Sequence, residues 1–252
     1  MDTVLISGTA LTAALMLLSA CGSISAGLAP FDNERLADAM ADFNQAPENS
    51  DAEIRTEVET RGGLENAAIT LADGTRVLVD GVYAGESDAG IGYVLAGELD
   101  RAGNLTKVIQ SEVGGDPYVS TNASGNFRYS GDTIAYLGDA GKNLVRLEGS
   151  SGLILDFDGG TGRVEGVARG EISGGGKAEA AFSGDIGAFS DKTGQFESGD
   201  VELSFARSGE TIRDSAELSG GLIGENEGFA ATLDPSGRMI EGSAVLFGTR
   251  DN

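Results

Sequence analysis

The sequence predicts an all-β protein, with an antiparallel barrel of about eight strands at residues 121–252 and a smaller β region at 64–120 ahead of it. Three observations carry this. After Gly62-Gly63, short runs rich in Val, Ile, Leu and aromatics alternate with Gly, Asp, Asn and Ser clusters about every ten residues, the pattern of antiparallel strands joined by tight turns. Within the runs, apolar and polar positions alternate. Leu153, Leu155 and Phe157 face one way while Ile154, Asp156 and Asp158 face the other; Val201, Leu203 and Phe205 oppose Glu202 and Ser204. One dry face and one wet face is what a half-buried antiparallel sheet requires. Third, 40 of the 252 residues are Gly, roughly twice the usual share, and turns with positive φ need them.

The elements follow in chain order. Residues 1–20 read as a signal peptide: Thr3 to Ala20 carries no charge, and its eighteen residues suit a secretory apolar region better than a membrane span. An uncleaved membrane helix is the alternative. The segment ends Leu18-Ser19-Ala20-Cys21, which resembles the bacterial lipobox. That resemblance implies that Cys21, the only cysteine, becomes the acylated first residue of the mature chain and its membrane anchor. Asp2 stands where a signal peptide normally carries a base. Gly22 follows Cys21 instead of an inner-membrane-retaining Asp, so an outer-membrane destination is expected.

Residues 21–63 read as a lipidated tether and acidic arm. Phe31, Leu36, Met40 and Phe43 have helical spacing between Pro30 and Pro47, and residues 32–61 hold nine acids against three bases. In the 64–120 region, Thr75–Tyr83, Ile91–Leu99 and Leu105–Ile109 are strand candidates, with turns at Ala72-Asp73-Gly74 and Arg101–Asn104. Gly114-Gly115-Asp116-Pro117 interrupts the run, which sets a domain boundary near residue 121. Barrel strands are expected near 124–131, 132–138, 144–158, 161–173, 178–190, 195–207, 213–223 and 227–248, the last allowing a hairpin around Asp234-Pro235-Ser236-Gly237. Eight of the ten Phe lie in this half. About eight antiparallel strands close into a barrel that side chains can fill.

Gly125–Gly131, Leu153–Gly166, Ala181–Gly184, Gly221–Phe229 and the closing stretch Glu241–Arg250 resemble the barrel of transferrin-binding-protein-B-like bacterial surface lipoproteins, a barrel shared by factor-H-binding-protein-like lipoproteins. The resemblance covers about half the chain. It implies a lipid-anchored outer-membrane protein whose barrel follows a smaller β "handle", here residues 64–120. No binding residue is carried over.

Composition excludes several chemistries. Without His, no Ser/His/Asp or Cys/His nucleophile can be built. A single Cys forms neither an internal disulfide nor a Cys-based zinc site. A net charge of −23 repels nucleic acid. The charge is spread along the chain, with 18 acids against 6 bases in residues 22–120 and 21 against 11 in residues 121–252. Asp156/Asp158 and Glu225/Glu227 are the carboxylate pairs to test as a hydrolase site, and both read as solvated surface or loop acids. Gly159-Gly160-Thr161-Gly162 begins like a calcium-repeat loop but does not repeat. No Gly-x-Ser-x-Gly elbow or P-loop occurs. A lipocalin-style cavity stays open as an alternative, since an eight-stranded barrel can hold one small ligand, although the many small strand residues point to a narrow, filled interior; a membrane-spanning barrel conflicts with acids at outward positions.

The expectation is therefore a monomeric, non-catalytic outer-membrane lipoprotein with no cofactor or metal, held at the membrane by lipid on Cys21, and binding a macromolecule or solute at the cell surface. The alternative is a periplasm-facing structural or assembly lipoprotein.

Overall fold

The computed structural model describes residues 50–84 and 90–251. Cys21, the apolar segment 3–20 and the helix expected at 31–43 lie outside the described residues.

Helix α1 (Ser50–Arg61) opens the fold where the sequence suggests the end of a solvated arm. Asp51 and Glu53 in its first turn and Arg61 in its last complement the helix dipole, and Gly62 ends it at φ 72°. Ile54 and Val58, four residues apart, are buried against a four-stranded sheet, so the arm's last turns belong to a packed core. That sheet runs β1 (Gly63–Thr70), β2 (Arg76–Val82), β3 (Ile91–Leu99) and β4 (Leu105–Gly115), antiparallel in sequence order. β1 was not among the expected strands. A bulge between Leu64 and Ala67, with Asn66 at φ 47°, breaks the alternation that would have marked it. β4 continues six residues past Ile109 because Gln110–Gly115 pair with Ile91–Ala96.

Eight strands form the closed antiparallel barrel: β5 (Asn126–Asp139), β6 (Val145–Asp156), β7 (Thr161–Glu171), β8 (Lys177–Ile186), β10 (Gln195–Arg207), β11 (Glu210–Ile223), β12 (Gly228–Pro235) and β13 (Ile240–Arg250). The two-residue β9 (Ala188–Phe189) pairs beside β10. Neighbours in sequence are neighbours in space, and β13 returns to β5 from Ile240↔Asp139 to Arg250↔Tyr129. The strands expected at 124–131 and 132–138 are one strand, and the strand expected at 227–248 is the β12–β13 hairpin; the two differences cancel in the count. Gly131-Asp132 resembles a turn, but the strand runs on through it, and Gly131 instead marks a close approach of β13, since a Cβ there would overlap Phe247 O. Inside, Leu153, Leu155, Val201, Leu203 and Phe205 are buried as their alternation predicts, and Phe127, Phe157 and Phe189 stack edge to face at one end.

The β12–β13 hairpin is fastened by Asp214 of β11, whose carboxylate accepts the N–H groups of Met239 (2.7 Å), Ile240 (3.0 Å) and Ser215 (3.0 Å). Burial works against its ionisation, but these donors outweigh burial and hold the carboxyl below its usual range. The folded value is depressed, so the contribution exists above about pH 4 and is lost as pH falls through the lowered value. Asp214→Ala should accordingly have a lower urea midpoint than wild type at pH 7, with the gap closing towards pH ~2; a gap independent of pH would contradict this role.

The four-stranded sheet lies between α1 and the barrel. Val77, Val79, Val94 and Ala96 face the helix, while Leu95 and Leu105 pack with Ile134, Tyr136 and Val245 on the outer side of β5 and β13. Tyr93 stacks on Phe247 at 4.4 Å. Within this apolar seam lies a buried charged cluster. Asp80 of β2 is fully buried and accepts Tyr136 Oη (2.7 Å), Arg146 Nε (2.7 Å) and Nη2 (2.6 Å), and Asn66 N (2.8 Å). Arg146 also pairs with Glu148. Burial, then the Asp80 charge, push the Tyr136 phenol far above its usual range. Removing one partner of a buried pair strands the other, at about 3–5 kcal/mol. Arg146→Ala should show a loss of that order in urea unfolding. Arg163→Ala, which breaks only exposed pairs of 3.7 Å and 4.0 Å to Asp185 and Glu165, should stay within about 0.5 kcal/mol; equal losses would mean that the Asp80 cluster is not a latch between the sheet and the barrel.

Candidate functional site

The neighbouring sheet covers the outer faces of β12, β13 and part of β5. Strands β6, β7, β8 and β10 carry a groove of about 700 Å³ on their outer side, reaching the start of β5. Register builds it. Ser130, Gly152, Glu165, Ser183 and Glu202 are successive cross-strand partners, forming one row across five strands. Ser150, Arg163, Val167, Ala181 and Ser204 flank the row.

The exterior of a barrel is ordinarily convex, and the inward-facing row one residue along explains why this wall sinks. Gly131, Ser151, Gly166 and Phe182 are cross-strand partners there. The first three put little or nothing into the interior, and a Cβ on Gly166 would overlap the Phe182 ring, which fills the space beneath it. One turn of the pleat away, a Cβ on Gly149 would overlap Val167 O. Small residues inside thus allow strands to approach closely and the outer face to become concave. Ser151 is buried, and its hydroxyl donates to Asp132 O at 3.1 Å.

Chemically, the groove presents serine hydroxyls, glycine-exposed backbone and solvated charges. Arg163 lies 3.7 Å from Asp185, and Arg213 lies 3.8 Å from Glu202. Such a surface offers hydrogen bonds to a polar ligand, beside apolar contact from Val167, Ala181 and Phe182.

The carboxylate pairs considered from sequence are placed elsewhere. Asp156 Oδ1 accepts the N–H groups of Asp158 and Gly159, and Asp158 Oδ2 accepts Gly125 N at 3.0 Å, so both fasten the β6–β7 turn. Glu225 and Glu227 are exposed in the β11–β12 turn. Among the described residues, no three Cys, Asp or Glu are grouped to hold a metal ion, and no helix is long and apolar enough to cross a membrane. Sequence reasoning missed Asp80, Tyr136 and Arg146. Asp80 did leave a signal, a lone charge inside the apolar run Val77-Leu78-Val79-Asp80-Gly81-Val82.

Because Gly166 sits over Phe182 and against Ser150 O (2.8 Å from a built Cβ), Gly166→Val should cost at least about 1–3 kcal/mol by overpacking. Gly152, whose built Cβ meets nothing nearer than 3.9 Å, should accept a side chain with little change in the urea midpoint. Equal tolerance at both positions would mean that the inner row does not shape the wall.

No protein-family profile matches the chain, and no curated protein matches it. Among solved structures, the chain is similar to the N-lobe domain of lactoferrin binding protein B of Moraxella bovis, at 14% identity and a TM-score of 0.38, over 81% of this chain and 86% of that one.

Proposed function

We propose that this protein is a non-catalytic binding module, lipid-anchored through Cys21 at the outer membrane, whose barrel engages a polar macromolecule or solute along the groove centred on Gly152 and Glu165. The observation that carries the reading is the combination of a filled barrel with a concave outer wall. The interior is occupied by Leu153, Leu155, Leu203, Phe205 and their neighbours, so recognition falls to the outside, where hydroxyls and backbone lie within reach. Charges along the outer row suit a water-facing wall, not a lipid-facing one.

Two experiments test it. Membrane fractionation with protease shaving of intact cells should find wild type membrane-bound and clipped from outside, and Cys21→Ser released. An anchored but protected protein would favour the periplasm-facing alternative, and unchanged anchoring of Cys21→Ser would assign residues 3–20 to a membrane helix. For the groove, a photo-crosslinking side chain placed at Gly152 should give a discrete adduct that the same side chain at Glu210, the first residue of β11, does not. Adducts from both positions, or from neither, would sink the groove as the binding surface.

A further inference from the structure

The chain between the two units, residues 116–125, runs across one mouth of the barrel and is fastened to three of its turns. Val119 N donates to Gly224 O at 2.9 Å, and Asn226 Nδ2 to Thr121 Oγ1 at 2.5 Å. Tyr118 Oη donates to Asp191 O at 2.9 Å, and its ring lies over Gly194, where a built Cβ would come within 2.6 Å of it. Gly125 N meets Asp158 Oδ2 at 3.0 Å. Tyr118 and Ala123 pack on the barrel core from this end.

Two polar atoms at the same mouth lack a hydrogen-bond partner among the described residues although both side chains are 99% buried: Tyr129 Oη and Asn226 Oδ1. A buried polar atom without a partner favours any state that admits water to it. The segment is therefore held shut by contacts that a modest rearrangement can trade for hydration.

The hinge of such a rearrangement is visible at the segment's start. Asp116 N donates to Gly90 O of the four-stranded unit, while Asp116 O accepts Gly224 N of the barrel at 3.5 Å. Next to it, Gly115 of β4 abuts Ile223, which packs with Ile91 and Ala230 across the seam. The position of the segment is thus set by the seat of the four-stranded sheet on the barrel, and the charged anchor of that seat is Asp80 with Tyr136 and Arg146.

We propose that residues 116–125 form a strap that closes the barrel mouth and is released when the Asp80 latch loosens, so that the seating of the small sheet governs access to Tyr129 and Asn226. Coupling of this kind needs an element with two arrangements that both sites bias. Here that element is the strap.

Native-state hydrogen exchange on the full chain, resolved to single amides, tests it. In Tyr136→Phe, which removes one bond to Asp80 and keeps the ring, the Val119 and Gly224 amides should exchange at least tenfold faster than in wild type, with Leu155 and Leu203 unchanged. Tyr118→Ala should accelerate the same two amides without accelerating Val79 or Leu95. Asp80→Asn should act like Tyr136→Phe, more strongly. Val119 unchanged in the two latch variants, or accelerated only together with Leu203, would overturn the coupling. Acceleration of Val79 and Leu95 by Tyr136→Phe without any at Val119 would overturn it as well.

Discussion

Asp80 is a fully buried carboxylate between two β units, and its solvation is supplied by both. Asn66 on its own sheet gives one N–H; Tyr136 and Arg146 on the barrel give three further donors. A charge taken out of water needs such partners in good geometry, because the penalty of leaving it unpaired exceeds the gain from the surrounding apolar contacts. The seam of Leu95, Leu105, Ile134 and Val245 could slide by a residue at small cost, since apolar contacts are not directional. The carboxylate cannot. It fixes one register between the sheet and the barrel, and through Arg146 on β6 that register extends to the strand that begins the groove.

The alternation at 153–158 and 201–206 is a property of neighbouring residues, so the strands and the dry interior were legible without knowledge of the fold. The latch was not. Tyr136 and Arg146 are ordinary outward residues of their strands until β2 is laid over them, and only the charge at Asp80 stands out locally. The groove was hidden for a related reason. Gly131, Ser151 and Gly166 are scattered among many similar residues, and they form a row only once cross-strand register is assigned. β1 escaped notice because its bulge destroys the period that identifies strands, and α1 because two apolar residues in an acidic run look like a solvated segment until a sheet covers them.

The groove and the interior are two sides of one packing decision. Most of the barrel wall is propped outward by large inward side chains; along β5 to β7 that prop is withdrawn, and the exterior gains the space the interior gives up. A concave polar surface is obtained from a closed barrel without an insertion or a long loop, so recognition rests on rigid strands that hold their hydroxyls in fixed positions.

The pairing of β13 with β5 joins residues on the order of 100 positions apart. Until that pairing forms, β5 and β13 are unsatisfied edges, each able to recruit a strand from another chain. The small sheet rests on β5, β12 and β13 together, which means that its seat does not exist before the barrel closes. Assembly is therefore ordered by geometry: the ring must shut first, and docking of the small sheet then covers the join, so that the closing pair of the ring becomes one of its best shielded.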